Sequence, residues 1–175
     1  MPKENSTSNI LFDGHFRVRR DIFATQSGVF KTRDIVEYPE AVAMVAIDQE
    51  GHFILERQFR HAASRELLEI PAGGIDPGET PEDAVNREMQ EETGYFPRCV
   101  EHLTSFYSAP GYSTEILHLF LVKDLVESRL TAEDSDEITL VRVSKEDALK
   151  LISGGTLCDA KSIAGLLFYF SLREP

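Results

Sequence analysis

From Phe16 onward, apolar and polar residues alternate. FRVRRDIFAT and GVFKTRDIVEY, with Gly28 between them, predict a hairpin of half-buried strands over residues 15–38. AVAMVAID (41–48) is a continuous apolar run and predicts a buried central strand. GHFILERQFR (51–60) predicts its partner, with Gln49-Glu50-Gly51 as the hairpin loop. A short strand in ELLEIPAGG leads into a loop rich in Gly and Pro. Thr80 as N-cap, Pro81 at the first helical position and Asp83 in the first turn predict a helix over 81–93, stopped by Gly94. Strands are expected near 98–107, 115–122 and 138–143, and helices over 145–152 and 160–172. Residues 1–14 show no pattern and read as a loose tail. The order of elements points to an α+β or mixed α/β fold. Without a repeat or linker, residues 1–175 read as a single domain.

Composition narrows the classes. Hydrophobic residues at 42% and charged residues at 27% suit an ordinary soluble globular chain. Eighteen basic and 30 acidic residues give a net charge of −12. Such a surface repels nucleic acid, but clustered carboxylates suit hard divalent cations. Two cysteines, Cys99 and Cys158, exclude a disulfide scaffold and fit reduced thiols in the cytoplasm. No apolar stretch reaches membrane-spanning length, and the N-terminus has no signal-peptide core.

The informative segment is GGIDPGETPEDAVNREMQEETGY (73–95). It carries seven acids and one base, a net −6 out of −12. At about 100° per residue, Glu88, Glu91 and Glu92 share one helix face, where like charges cost stability. Arg87 lies beside Glu91, but one guanidinium cannot neutralise three carboxylates. Divalent cations, more than one per site, are the simplest partner. Zinc is disfavoured, because no His or Cys pairing supplies its usual ligands, and the five histidines are scattered.

Segment 73–95 resembles the Nudix box, G-x5-E-x7-R-E-U-x-E-E-x-G-U, where U is aliphatic. Gly73, Glu79, Arg87, Glu88, Met89, Glu91, Glu92 and Gly94 fall in register, and Tyr95 departs at a packing position. The resemblance implies a Nudix α/β/α sandwich over 40–175 and hydrolysis of nucleoside diphosphate derivatives with Mg2+ or Mn2+. By position, Glu88, Glu91 and Glu92 are implied as metal ligands, with the Ala72 carbonyl completing the site. Glu79 and Arg87 are implied to orient the glutamates.

Downstream, SFYSAPGYSTEILHLFLV places Pro110 fifteen residues after Tyr95, followed by a Thr-Glu pair. Together with ERQFRHAASRELLEIPAGGID and DAKSIAGLL, this is similar to ADP-ribose pyrophosphatases. That likeness implies cleavage of ADP-ribose to AMP and ribose 5-phosphate. Alternatives are another nucleoside diphosphate sugar, such as GDP-mannose, or a sensor that binds ADP-ribose without cutting it. Arg60 is implied to reach the substrate phosphates, a task suited to a guanidinium fork. Glu115 is implied near the terminal ribose. Glu133 and Asp134, in the acidic loop 131–137, are candidates for a catalytic acid, with Glu91 the alternative base. The subfamily also implies a homodimer formed through the N-terminal strands. Arg33 would then meet substrate from the other subunit, and Phe16, Phe23 or Phe30 could stack on adenine.

Overall fold

The computed structural model describes residues 6–131 and 137–173. Among the described residues, ten strands and three α-helices form two compact units. The first unit comprises residues 1–40 and 106–116, the second the remainder.

In the first unit, β1 (Ser6–Asp13), β2 (Arg17–Ala24) and β3 (Phe30–Glu37) make an antiparallel three-stranded sheet. The β2–β3 hairpin turns at Gly28, whose φ of +80° suits glycine. β1 corrects the expectation of a loose tail. Every residue of β1 is exposed, so hydropathy gave no signal, and the strand forms by backbone pairing with β2. Val36 N–H donates to the Tyr112 carbonyl at 2.7 Å and the Val36 carbonyl accepts from Thr114 N–H at 3.0 Å, which ties β3 to the turn that holds Pro110.

The second unit is built on a sheet ordered β10 (Thr139–Val143), β5 (Phe53–Arg60), β4 (Ala41–Ile47), β9 (Ile116–Glu127) and β8 (Tyr95–Tyr107). β6 (Arg65–Glu69) pairs with β5, and β7 (Ala72–Gly74) pairs with β4. β4 is buried throughout because both of its faces are covered. Val42, Met44 and Ala46 face α1 (Pro81–Glu88), together with Phe120 and Val122. On the other face, Gly165 of α3 (Ala160–Arg173) lies against Val45, Leu119 and Ile70, and Phe53 packs edge-on to Tyr169 and Phe170. A central sheet between helices is the expected α/β/α sandwich. α2 (Lys145–Ser153) starts at a Ser144 cap that accepts from Asp147 N.

One detail of β4 places the site. Its edge is divided: Ala46 and Ile47 pair with β5, while Ala41 to Ala43 pair with β7. Between them, Met44 N–H donates to the Pro71 carbonyl at 2.8 Å. β5 therefore diverges to join β6, and the mouth of that fork faces the end of the box helix.

Candidate active site

α1 begins as its sequence predicts. Thr80 Oγ1 accepts from Asp83 N, and Pro81 occupies the first turn. The helix does not run unchanged to residue 93. At Met89 it passes into a π-helical turn (Met89–Thr93), closed by Thr93 Oγ1 donating to the Met89 carbonyl and by Gly94 at φ +78°. Uniform spacing thus fails just where it matters. Glu91 stays beside Arg87, whereas Glu92 turns in to accept from Ala72 N at 3.0 Å.

Arg87 organises the cluster. Nε and Nη2 grip Glu79 at 3.0 and 2.9 Å. Nη1 donates to Glu88 at 2.6 Å and Glu91 at 3.1 Å, and Nη2 also donates to the Gly74 carbonyl at 2.8 Å. These five bonds exhaust the donors of a guanidinium. Glu79 in turn accepts from Asp76 N, which ties the loop to the helix. Gly73 is needed for a steric reason, since a Cβ there would collide with the Glu88 carboxyl.

Sequence reasoning missed Glu56 and Glu69. Glu56 is buried on β5, and its Oε1 has no donor among the described residues. Burial pushes its carboxyl up to about 7, against a bond shared with Glu92 and the nearby charges of Lys161 and Arg60. Desolvation, then the Glu56 and Glu88 charges, push Glu92 well above the carboxylate range. Burial also raises Glu88, opposed by Arg87. Glu79 is held low by Arg87. Glu69 behaves oppositely to Glu56. Burial would raise it, but the bidentate bond from Arg60 and the charge of Lys161 hold it at about 2. Their signal in the sequence is an acid attached to an apolar run, Phe-Ile-Leu-Glu and Leu-Leu-Glu, on predicted strands.

This set of carboxylates can hold a divalent cation. Glu56 and Glu92 press two carboxyls together with an unsatisfied buried oxygen, a need that a proton or a metal ion meets. All donors are oxygens, which suits Mg2+ or Mn2+. A separate trio, Asp48, Glu50 and His52, has ligand atoms within 4.8 Å of one another. Asp48 Oδ1 there already closes the β4–β5 turn by accepting from Glu50 N and His52 N, and Oδ2 lies 3.4 Å from Arg142.

The structure brings Ala72, Glu79, Arg87, Glu88, Glu91 and Glu92 together. Arg60 joins them through its charge on Glu92 and its bonds to Glu69 at 2.9 and 2.8 Å. Arg33, Pro110 and Glu115 belong to the first unit. Arg33 is exposed on β3 and donates to the Thr32 carbonyl, Pro110 is exposed in the 109–113 turn, and Glu115 is half-buried with its N–H on Ser113 Oγ. Glu133 and Asp134 lie outside the described residues. Tyr95 packs against the α1 side of the core, as its box position implies, and its hydroxyl accepts from Arg142 at 2.9 Å.

The model of the NUDIX domain matches residues 37–164, spanning this whole arrangement from β4 to α3. The chain belongs to the NUDIX family. It is 39% identical over 150 residues to the ADP-ribose pyrophosphatase of Bacillus subtilis (strain 168), covering 85% of this chain and 80% of that protein. It is 34% identical over 167 residues to the methanol dehydrogenase activator of Bacillus methanolicus, covering 94% and 90%. The fold also matches a crystal structure of an ADP compounds hydrolase with a TM-score of 0.86 at 23% identity, over 96% and 94% of the two chains.

Proposed function

We propose that this NUDIX protein is a metal-dependent pyrophosphohydrolase that cleaves ADP-ribose to AMP and ribose 5-phosphate. The observation that carries the reading is the Glu56–Glu92 carboxyl pair beside Glu88. Glu88 and Glu92 sit at a helix end braced by Arg87, and Glu56 meets them from β5, in a chain related to an ADP-ribose pyrophosphatase.

Glu88, Glu91, Glu92 and the Ala72 carbonyl are the groups proposed to hold Mg2+ or Mn2+, more than one ion per site. A metal held there would let a water ionise near neutral pH and attack a phosphorus, and would offset the charge that develops on the bridging oxygen. Arg87 and Glu79 keep the glutamates aimed. Arg60 spends Nε and one Nη2 proton on Glu69, which leaves the Nη1 edge for a diphosphate oxygen. Glu91 is the candidate general base on the helix, and Glu133 or Asp134 the candidate on the acidic loop. Arg33, Pro110 and Glu115 are proposed substrate contacts.

A homodimer is proposed through the β1–β3 sheet. Its support is the exposed apolar row Ile10, Leu11 and Phe12, with Phe30 65% exposed. Light scattering on the eluting peak checks it, with a monomer at all concentrations as the contrary result. Cytoplasmic location is proposed from the two unpaired, exposed thiols. No described helix is long and apolar enough to cross a membrane.

The decisive assay measures AMP release from ADP-ribose, ADP-glucose and GDP-mannose with Mg2+, Mn2+ or chelator. ADP-ribose is expected to lead in kcat/KM by about tenfold, about 1.4 kcal/mol of transition-state preference. A lead by GDP-mannose would move the substrate reading. Tight ADP-ribose binding without turnover under any metal would make the protein a sensor.

A further inference from the structure

Beyond the box, a dense group of shielded charge lies at the start of α3. Asp159 caps that helix by accepting from Ser162 N at 3.0 Å and Ser162 Oγ at 2.6 Å, and Lys161 Nζ reaches the same carboxylate at 3.0 Å. Two arms leave this turn. Lys161 also donates to Glu69 Oε2, an oxygen it shares with Arg60 Nη2. Ser162 is fully buried, and its Oγ accepts from Ile70 N at 2.8 Å.

We propose that the Asp159–Lys161–Ser162 turn is the positioning element of the site. Lys161 fixes the direction of Arg60 through Glu69, and Ser162 fixes the strand end that carries Ala72.

The first arm follows from how the Glu69 oxygens are used. Oε1 takes Arg60 Nε, and Oε2 takes Arg60 Nη2 and Lys161 Nζ. With Arg60 alone, carboxylate and guanidinium could swing as one rigid pair. The lysine, itself held by Asp159, pins the carboxylate to a helix and thereby sets where the free Nη1 edge points. A lysine suits this post because a compact ammonium can serve two carboxylates at once. The second arm acts on three consecutive residues. Ile70 is held by α3, the Pro71 carbonyl by β4, and Ala72 N–H by the Glu92 carboxylate. The strand end that faces the metal ligands is thus tied to every layer of the second unit.

The inference rests on the hydrolase reading, in which Arg60 meets the diphosphate. Its test has a readout that does not depend on turnover. In protein labelled at arginine nitrogens, the Arg60 Nε–H signal of the wild type is expected to be resolved and slow to exchange. In Lys161→Met the exchange should quicken, and KM for ADP-ribose should rise about tenfold with kcat within about threefold. Lys161→Arg should restore both. In an Arg60→Ala background the KM effect of Lys161→Met should vanish, because the two residues act as one unit. Ser162→Ala should quicken Ile70 amide exchange and lower kcat about tenfold, leaving the Arg60 signal in place. An unchanged Arg60 signal in folded Lys161→Met overturns the first arm, as does a KM penalty that persists without Arg60. Unchanged kcat in Ser162→Ala overturns the second. If Lys161→Met does not fold, a wild-type KM in Lys161→Arg supports the first arm and a raised one opposes it. Wild type that turns over no nucleoside diphosphate sugar would sink the hydrolase reading, while the Arg60 and Ile70 signals would still decide the positioning.

Discussion

Two of the bidentate arginine–carboxylate pairs, one from each unit, invite comparison. Arg20 grips Asp34 at 2.6 and 2.7 Å on the three-stranded sheet, and Arg60 grips Glu69 at 2.9 and 2.8 Å beside the box. By distance the first looks stronger. By surroundings they are opposites. Asp34 is about half exposed, whereas the Glu69 side chain is 4% exposed and carries a second cation, Lys161. Water competes for the first pair and screens it, so its contribution is small. The second cannot be broken without leaving a shielded charge short of a partner. Geometry alone does not rank ion pairs, and burial decides which ones the fold and the site depend on.

The sharpest way to press this contrast is at the site itself. Glu92→Gln keeps the shape but removes the charge that draws in a cation, and should lower kcat/KM for ADP-ribose by about a thousandfold, about 4 kcal/mol. Steady-state kinetics at saturating Mg2+ check this, and a loss below tenfold would remove Glu92 from the proposed ligands.

Next in size, Glu69→Ala should destabilise the protein by about 3 kcal/mol in urea unfolding, since it takes the shared carboxylate from Arg60 and leaves the shielded Lys161 with Asp159 alone. A change no larger than that of a surface variant would erase the distinction between the pairs.

A smaller effect concerns pH in the presence of chelator. Glu56 titrates near 7 in the fold, where its ordinary value is about 4.5. Between those values the unfolded chain holds fewer protons than the folded one, so stability falls as pH rises from about 4.5 to 7. Glu69 works the other way. Its carboxyl is held at about 2, so its contribution is complete above 4.5 and fades as pH drops toward 2. Thermal melts without metal should peak near pH 5, and saturating Mg2+ should abolish the decline toward pH 8. A metal-free protein equally stable at pH 5 and pH 8 would contradict the buried Glu56.

The smallest effect is the control. Arg20→Ala or Asp34→Asn should leave both the thermal midpoint and kcat within measurement scatter. A clear loss from either would mean that exposed pairs matter here as much as shielded ones.

What the sequence reveals follows the range of the interaction. The box, its cap at Thr80 and its stop at Gly94 are legible because each depends on residues a turn or two away. The central strand is legible because burial on both faces leaves an unbroken apolar run in β4. Glu56 and Glu92, 36 positions apart, meet only after β5 diverges from β4, and Lys161 reaches Glu69 across 92 positions. No local pattern encodes such meetings. β1 escaped notice for another reason, because a strand exposed on all sides has no hydropathic period to read.

The π turn at Met89–Thr93 bears on which changes the segment can absorb over evolutionary time. A turn with a longer hydrogen-bond ring is, in effect, an insertion that has been kept. Gln90, whose side chain bonds the Asn86 carbonyl and Ser128, is open to replacement. Deleting one residue from the turn is a different event. It would shift Gly94 off the left-handed corner and start β8 one position early, turning each side chain of that strand to the opposite face. The segment is therefore permissive about spelling and strict about length.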